Sequence, residues 1–85
     1  MAEISRFYGI IISMFGNEHN PPHFHIKYGN YKALYVLRKG IIKGEIPIKV
    51  LKKVDDWVVI HEKELQKNWE LIQNGKEVIK IEPLK

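Results

Sequence analysis

Apolar residues in the first half of the chain are spaced as they are in β-strands. Residues 4–15 are rich in β-branched and aromatic side chains and are apolar on both faces, which predicts one central strand covered on both sides. Gly9 lies within this run and is interpreted as a bulge, a close backbone approach or a tolerated glycine. Shorter strands are predicted at residues 23–28, 31–37 and 41–46, between turn-forming residues. An antiparallel meander is the simplest topology for these four segments.

In the second half, apolar residues recur at steps of three and four, which is the spacing of an amphipathic helix. The helix is expected to begin at Pro47, which suits a first turn, and to stop at Asn74 and Gly75. It is either one long helix or two helices with a kink near His61. Residues 77–81 are predicted to form a last edge strand. The apolar stripe consists of Val50, Leu51, Val54, Trp57, Val58, His61, Leu65, Trp69 and Ile72.

Together these elements predict an α+β fold in a single domain that spans residues 1–85. A four- or five-stranded, mostly antiparallel sheet is expected to pack with one face on the long or kinked C-terminal helix. Trp57 and Trp69 are predicted to be core residues because they lie on the apolar stripe. His61 lies on the same stripe and is interpreted as a hydrogen-bonded histidine in or beside the core.

Composition and charge narrow the class of protein. The chain has no cysteine, which excludes disulfides, thiolate nucleophiles and the common zinc-finger sites and fits a reducing cytoplasm. It shows neither an export signal nor an apolar run of about 18 residues, so no membrane partner is predicted. Most of the formal net charge of +4 comes from residues 1–46, where six basic residues face three acidic ones. That excess is compatible with a polyanionic partner.

Three of the four histidines lie in residues 19–25, which read His-Asn-Pro-Pro-His-Phe-His. The two prolines predict a stiff loop leading into a strand, because proline fixes φ at about −65° and disfavours helix at the residue before it. Within that strand, His23 and His25 share one face with Lys27, while the apolar residues share the other. Since the apolar side should face the core, the histidines are expected on an open face or in a cleft.

Several motifs occur together along the chain. They are Phe7-Tyr8-Gly9-Ile10, Glu18-His19-Asn20-Pro21-Pro22-His23-Phe24-His25, Tyr28-Gly29, Trp57, His61 and Asn68-Trp69. In these motifs the chain resembles a family of small bacterial proteins called domain of unknown function 4160. The resemblance implies a toxin–antitoxin arrangement, because genes of that family often lie beside another small uncharacterised family. It supplies no established catalytic residues.

One interpretation of the histidines is general acid–base catalysis on an RNA phosphodiester. Two imidazoles in one cleft can divide the roles of base and acid near neutral pH. His23 and His25 would be this pair, with His19 or Glu18 as an orienting group and a nearby cation to stabilise the developing charge. Arg6 and Lys27 are the candidates for that cation. The candidate catalytic residues are therefore His19, His23, His25 and Arg6.

Two other interpretations stay open for the same residues. The His-x-His pair places two ring nitrogens on one face, so His23 and His25 are candidate metal ligands with His19 or Glu18 as a third. Alternatively, the motif is a rigid structural turn. The sequence does not indicate a required cofactor. The spacing of the histidines allows a divalent metal.

The function predicted from the sequence is an uncharacterised bacterial protein of toxin–antitoxin type that binds or cleaves RNA with its histidine cluster. If it is an enzyme, the activity is ribonuclease-like. The alternative is a non-catalytic module that binds a partner or a metal. Predicted partners are RNA and a small protein encoded nearby, and the predicted location is the cytoplasm. Candidate nucleic-acid-binding residues are Lys27, Lys32 and Arg38.

Overall fold

The computed structural model describes residues 2–85 as a five-stranded antiparallel sheet followed by one helix. The strands are β1 (Ala2–Phe7), β2 (Ile10–Met14), β3 (His23–Tyr28), β4 (Tyr31–Val36) and β5 (Gly40–Glu45), and the helix is α1 (Ile48–Gln73). Each strand pairs with the next along the chain, in the order β1-β2-β3-β4-β5. The α+β fold and the antiparallel meander predicted from the sequence are confirmed, with five strands.

The prediction of a single central strand at residues 4–15 is wrong. The segment forms two strands, β1 and β2, joined by a tight turn at Tyr8 and Gly9, whose φ angles are 50° and 77°. Gly9 is therefore a turn residue, since glycine adopts this left-handed backbone without a steric penalty. The consecutive isoleucines of β2 hid the alternation: Ile10 and Ile12 are fully buried, while Ile11 lies on the opposite face.

The helix ends and its kink lie where the sequence indicated. Pro47 immediately precedes α1 with φ −57°, and the helix stops before Asn74 and Gly75, where Gly75 has φ 71°. His61 has non-helical φ and ψ angles of −115° and 20°, which divides α1 into two segments. The amphipathic stripe accounts for the packing, because Trp57, Leu65 and Trp69 are all buried on the sheet side of the helix.

The core lies between α1 and one face of the sheet. Phe24 of β3 is fully buried, stacks on Tyr35 of β4 with ring centroids 4.8 Å apart and meets Trp57 of α1 edge-on at 6.0 Å. Ile26 of β3 is also in this core. Because side chains alternate along a strand, His25 and Lys27 point to the other face of the sheet. No described helix is long and apolar enough to cross a membrane.

The predicted edge strand at residues 77–81 does not form within residues 2–85. The segment is held by side-chain hydrogen bonds and by one backbone hydrogen bond, without a strand ladder. Asn68, which is 1% exposed, donates from Nδ2 to the Ile79 carbonyl and accepts from the Ile79 N–H, at 2.7 and 2.8 Å. The Ile81 N–H donates to the Ile4 carbonyl at 2.8 Å, and the Ser5 hydroxyl donates to the Ile81 carbonyl at 3.0 Å. That side-chain bond uses a carbonyl that a strand ladder would need.

Candidate functional site

The face of the sheet that does not pack on α1 forms an open cleft of about 780 Å³. Ligand pockets have volumes of about 300–1,000 Å³, so the cleft is large enough to hold one. Strand pairing sets two rows of side chains across this face. One row is Glu3, Ser13, His25, Leu34 and Lys43, and the other is Arg6, Ile11, Lys27 and Lys32.

The cleft is positively charged. Four basic side chains line it against two acidic ones. Arg6 is partly neutralised, because its guanidinium pairs with Glu3 at 2.7 Å. Within the described chain, the three lysines of the cleft make no ion pair with a carboxylate. Those lysines are Lys27, Lys32 and Lys43.

The loop at residues 15–22, which joins β2 to β3, is fixed against the core at several points. Trp69 of α1 donates from its indole N–H to the Asn20 side-chain oxygen at 2.8 Å, and the Pro22 carbonyl accepts from the Leu37 N–H at 3.1 Å. Gly16 lies against the backbone of α1, where a Cβ would be 3.3 Å from the Ile72 carbonyl oxygen. The Asn20–Pro21 peptide bond is cis. These anchors place Glu18 beside the start of β3.

Glu18 is the centre of the histidine cluster. Its Oε1 lies 2.9 Å from Nε2 of His23 and 2.9 Å from Nε2 of His25, and its Oε2 lies 3.1 Å from the same His25 nitrogen. The ligand atoms of the three residues all lie within 4.8 Å of one another, which is close enough to hold a metal ion. We call this group the Glu18 triad.

The two histidines of the Glu18 triad differ in exposure and in hydrogen bonding. The His23 side chain is 9% exposed and packs on Trp69 with ring centroids 4.8 Å apart, and its Nδ1 lies 2.8 Å from the Pro21 carbonyl oxygen. The His25 side chain is 35% exposed and meets Phe15 edge-on at 4.5 Å. His25 is therefore the histidine that a ligand in the cleft can reach.

Hydrogen-bond donors and acceptors define which nitrogen carries each proton. A carbonyl oxygen only accepts, so Nδ1 of His23 must carry the proton that it donates to Pro21. Nε2 of His25 faces both oxygens of Glu18, so this nitrogen is the donor to the carboxylate. In neutral His25 the lone pair is then on Nδ1, which makes Nδ1 the atom able to accept a proton.

The electrostatics of the Glu18 triad keep its carboxylate ionised. Partial burial raises the pKa of Glu18, but hydrogen bonds from His25 and His23 outweigh burial and hold that pKa below its usual value. Glu18 is consequently an acceptor at neutral pH. It orients His25 in the way that a carboxylate orients an imidazole in other proton-transfer sites.

The predicted site residues are only partly brought together. His23 and His25 meet in the Glu18 triad, and Arg6, Lys27 and Lys32 line the same cleft. The predicted residues that lie apart from the Glu18 triad and the cleft lining are His19, which is exposed, and Arg38, which pairs with Glu62 of α1 at 2.8 Å. His61, interpreted as a hydrogen-bonded boundary residue, bonds to Glu64 with a side chain 12% exposed.

Some residues of the site had no clear signal in the sequence. Lys43 lines the cleft because it pairs with Leu34, and Leu34 pairs with His25, so only the strand register reveals it. Phe15 and Trp69 contact the two histidines from a loop and from the helix. Alternation along β5 would put Lys43 on the same face as Ile41, which packs against the core, and only the register shift between Leu34 and Tyr35 turns Lys43 to the cleft. Loop and helix contacts carry no periodic signal.

The comparisons with known proteins give a family and no further relative. No curated protein and no solved structure matches the chain. One family model, described as Domain of unknown function (DUF4160), matches residues 9–70, which is well over half of the chain and includes the Glu18 triad and most of α1. The chain therefore belongs to the DUF4160 family.

Proposed function

We propose that this protein binds single-stranded RNA along the open cleft and cleaves it at the Glu18 triad. The observation that carries the proposal is the position of His25. It is a partly exposed imidazole, held by an ionised carboxylate, in a cleft lined by three lysines that have no ion pair in residues 2–85. Phosphodiester cleavage requires a proton acceptor beside a region of positive charge, and this cleft supplies both.

Binding would depend mainly on charge. Lys27 and Lys32 are cross-strand neighbours on β3 and β4, and Lys43 lies on β5, so the three ammonium groups are distributed across adjacent strands of one face. A polyanionic backbone lying across the strands can contact all three. The apolar side chains beside them, Ile11 and Leu34, offer contact area to bases. This arrangement suits an extended single strand, since single-stranded nucleic acid binds to basic grooves that also offer contact to its bases.

The proposed reaction is attack by the 2′-hydroxyl on the neighbouring phosphorus. Nδ1 of His25 accepts the hydroxyl proton as the oxygen–phosphorus bond forms, and Glu18 stabilises the resulting imidazolium. The 5′-oxygen leaves with a proton from water, and the imidazolium of His25 returns its proton to the hydroxide that remains. The products are a cyclic 2′,3′-phosphate and a free 5′-hydroxyl, with no net change in protons. Lys27 and Lys43 stabilise the negative charge that develops on the phosphoryl oxygens. His23, with both nitrogens engaged, is assigned a positioning role.

The biological setting that we propose is a toxin–antitoxin pair in the bacterial cytoplasm. Its support is the toxin–antitoxin arrangement that the resemblance to this family implies, together with the basic cleft. A partner protein encoded nearby would block cleavage most simply by covering the cleft. An acidic partner surface would suit the three lysines, because opposite charges speed association.

Replacing Lys27 by alanine tests the proposed binding surface. We expect the affinity for a short single-stranded RNA to fall several-fold and the salt dependence of log K to become shallower by about 0.7, the contribution of one phosphate contact. Fluorescence anisotropy at several salt concentrations measures both quantities.

The matched control is Lys63→Ala, which removes the same charge from an exposed position of α1. We expect it to retain the wild-type affinity. Arg38→Ala should also have a smaller effect than Lys27→Ala, because Arg38 lies outside the cleft and pairs with Glu62. Equal losses in all three variants would contradict the cleft as the binding surface.

A further inference from the structure

We propose that Glu18, His23 and His25 form a binding site for a divalent first-row transition metal such as Zn²⁺. The three residues supply two imidazole nitrogens and one carboxylate from one loop and one strand, which is the donor set of a two-histidine, one-carboxylate facial site. This donor set leaves further coordination positions for water or a ligand, and the partly exposed side of the site opens toward the cleft through His25.

The spacing of the donor atoms fits such an ion. Bonds of about 2.1 Å separate two donors by about 3.0 Å when they meet at a right angle and by about 3.4 Å at a tetrahedral angle. Oε1 of Glu18 lies 2.9 Å from Nε2 of each histidine. The ligand atoms of all three residues lie within 4.8 Å of one another, so an ion can bind once the two imidazoles turn toward it.

The hydrogen bonding of His23 supplies a second argument. A neutral imidazole carries one N–H, and that of His23 is donated to the Pro21 carbonyl. In this neutral ring, Nε2 of His23 presents a lone pair to the carboxylate of Glu18 at 2.9 Å, so the two acceptors form a hydrogen bond only when the ring carries a second proton. A cation must lie between two such acceptors, either a proton or a metal ion. Metal-binding histidines commonly donate their other N–H to a backbone carbonyl, which is the arrangement of His23.

Metal binding would control the chemistry proposed for the same site. A bound ion occupies Nε2 of His25 and an oxygen of Glu18, so these two groups no longer act together in proton transfer. Zn²⁺ is therefore expected to inhibit RNA cleavage, and this consequence rests on the proposed function. The metal site itself does not, because its donors and geometry are independent of RNA.

The experiment is a Zn²⁺ titration of the purified full chain without RNA. Calorimetry measures the stoichiometry and affinity, and NMR monitors the histidine ring nitrogens. We expect one ion per chain, with the Nε2 signals of His23 and His25 shifting and those of His19 and His61 unchanged. Glu18→Gln should weaken binding at least tenfold, since it replaces the carboxylate by a neutral amide of nearly the same shape. His19→Ala, which removes a neighbouring exposed imidazole, should keep the wild-type affinity within twofold.

Several results would overturn the metal site. They are the absence of saturable one-to-one binding, NMR shifts confined to His19 or His61, and equal affinities in wild type and a folded Glu18→Gln variant. The NMR measurement uses the wild-type chain, so it decides the question even if Glu18→Gln fails to fold. Zn²⁺ binding by a chain that cleaves no RNA in its metal-free form would contradict the proposed function alone, and RNA cleavage by a chain that binds no Zn²⁺ would contradict the metal site alone.

Discussion

Replacing His25 by alanine is expected to lower the rate of RNA cleavage by about 10²–10⁴-fold, the contribution of a positioned general base. The protein should stay folded, because this side chain lies on the open face of the sheet and is 35% exposed. Binding should change little, since the lysines of the cleft are untouched. Single-turnover cleavage of a short labelled RNA gives the rate, and circular dichroism together with anisotropy checks folding and binding.

His19→Ala is the matched control for this prediction. It removes an imidazole from the same segment, but from an exposed position outside the Glu18 triad. We expect its cleavage rate to equal that of wild type. If a folded His25→Ala variant cleaves within twofold of wild type, His25 is not the general base. If His19→Ala loses the activity instead, the catalytic group belongs to the loop and not to the strand.

Replacing Asn68 by alanine is expected to lower the free energy of unfolding by about 2–3 kcal/mol. The side chain is 1% exposed and makes two hydrogen bonds to the backbone of Ile79, and each such bond contributes about 0.5–1.5 kcal/mol net, with an added cost for groups left unpaired. The loss should also loosen the C-terminal segment from β1, where Ile81 bonds to Ile4. Urea denaturation measures the change.

Asn74→Ala provides a matched control for Asn68→Ala. The Asn74 side chain also donates to a backbone carbonyl, that of Glu70, but at the exposed end of α1. Water can replace this bond, so the expected cost is well below that of Asn68→Ala. Similar losses of stability in the two variants would contradict the role of the Asn68 side chain in holding the C-terminal segment.

Much of the fold could be predicted because the chain changes from a period of two to a period of about 3.6 near Pro47. Strands β3 to β5 are separated by residues that strongly favour turns, and α1 carries one continuous apolar stripe. Residues 4–15 were misassigned because their isoleucines fill both faces, which makes a hairpin look like one buried strand. Residues 77–81 look like a strand in composition, but side-chain contacts to Asn68 and Ser5 hold them instead.

Only the part of the candidate site that lies on a strand was predictable, because side chains alternate between the two faces of a strand, an alternation called strand parity. Parity puts His23, His25 and Lys27 on one face, and the structure places all three in the lining of the cleft. Strand parity does not indicate how deeply a side chain is buried, so the burial of His23 against Trp69 could not be anticipated. The loop has no period, and only its folded path shows that Glu18 meets the two histidines while His19 does not.

The proposed function requires that RNA binds in the open cleft beside His25. It is tested most directly by NMR on the wild-type protein, following the histidine ring and backbone amide signals as a short, non-cleavable single-stranded RNA is added. We expect shifts at His25, Lys27 and their neighbours on β3 and β4, with little change at His61 on the opposite side of the sheet. Saturable shifts confined to α1, or no shift at His25 at concentrations that saturate binding, would contradict it.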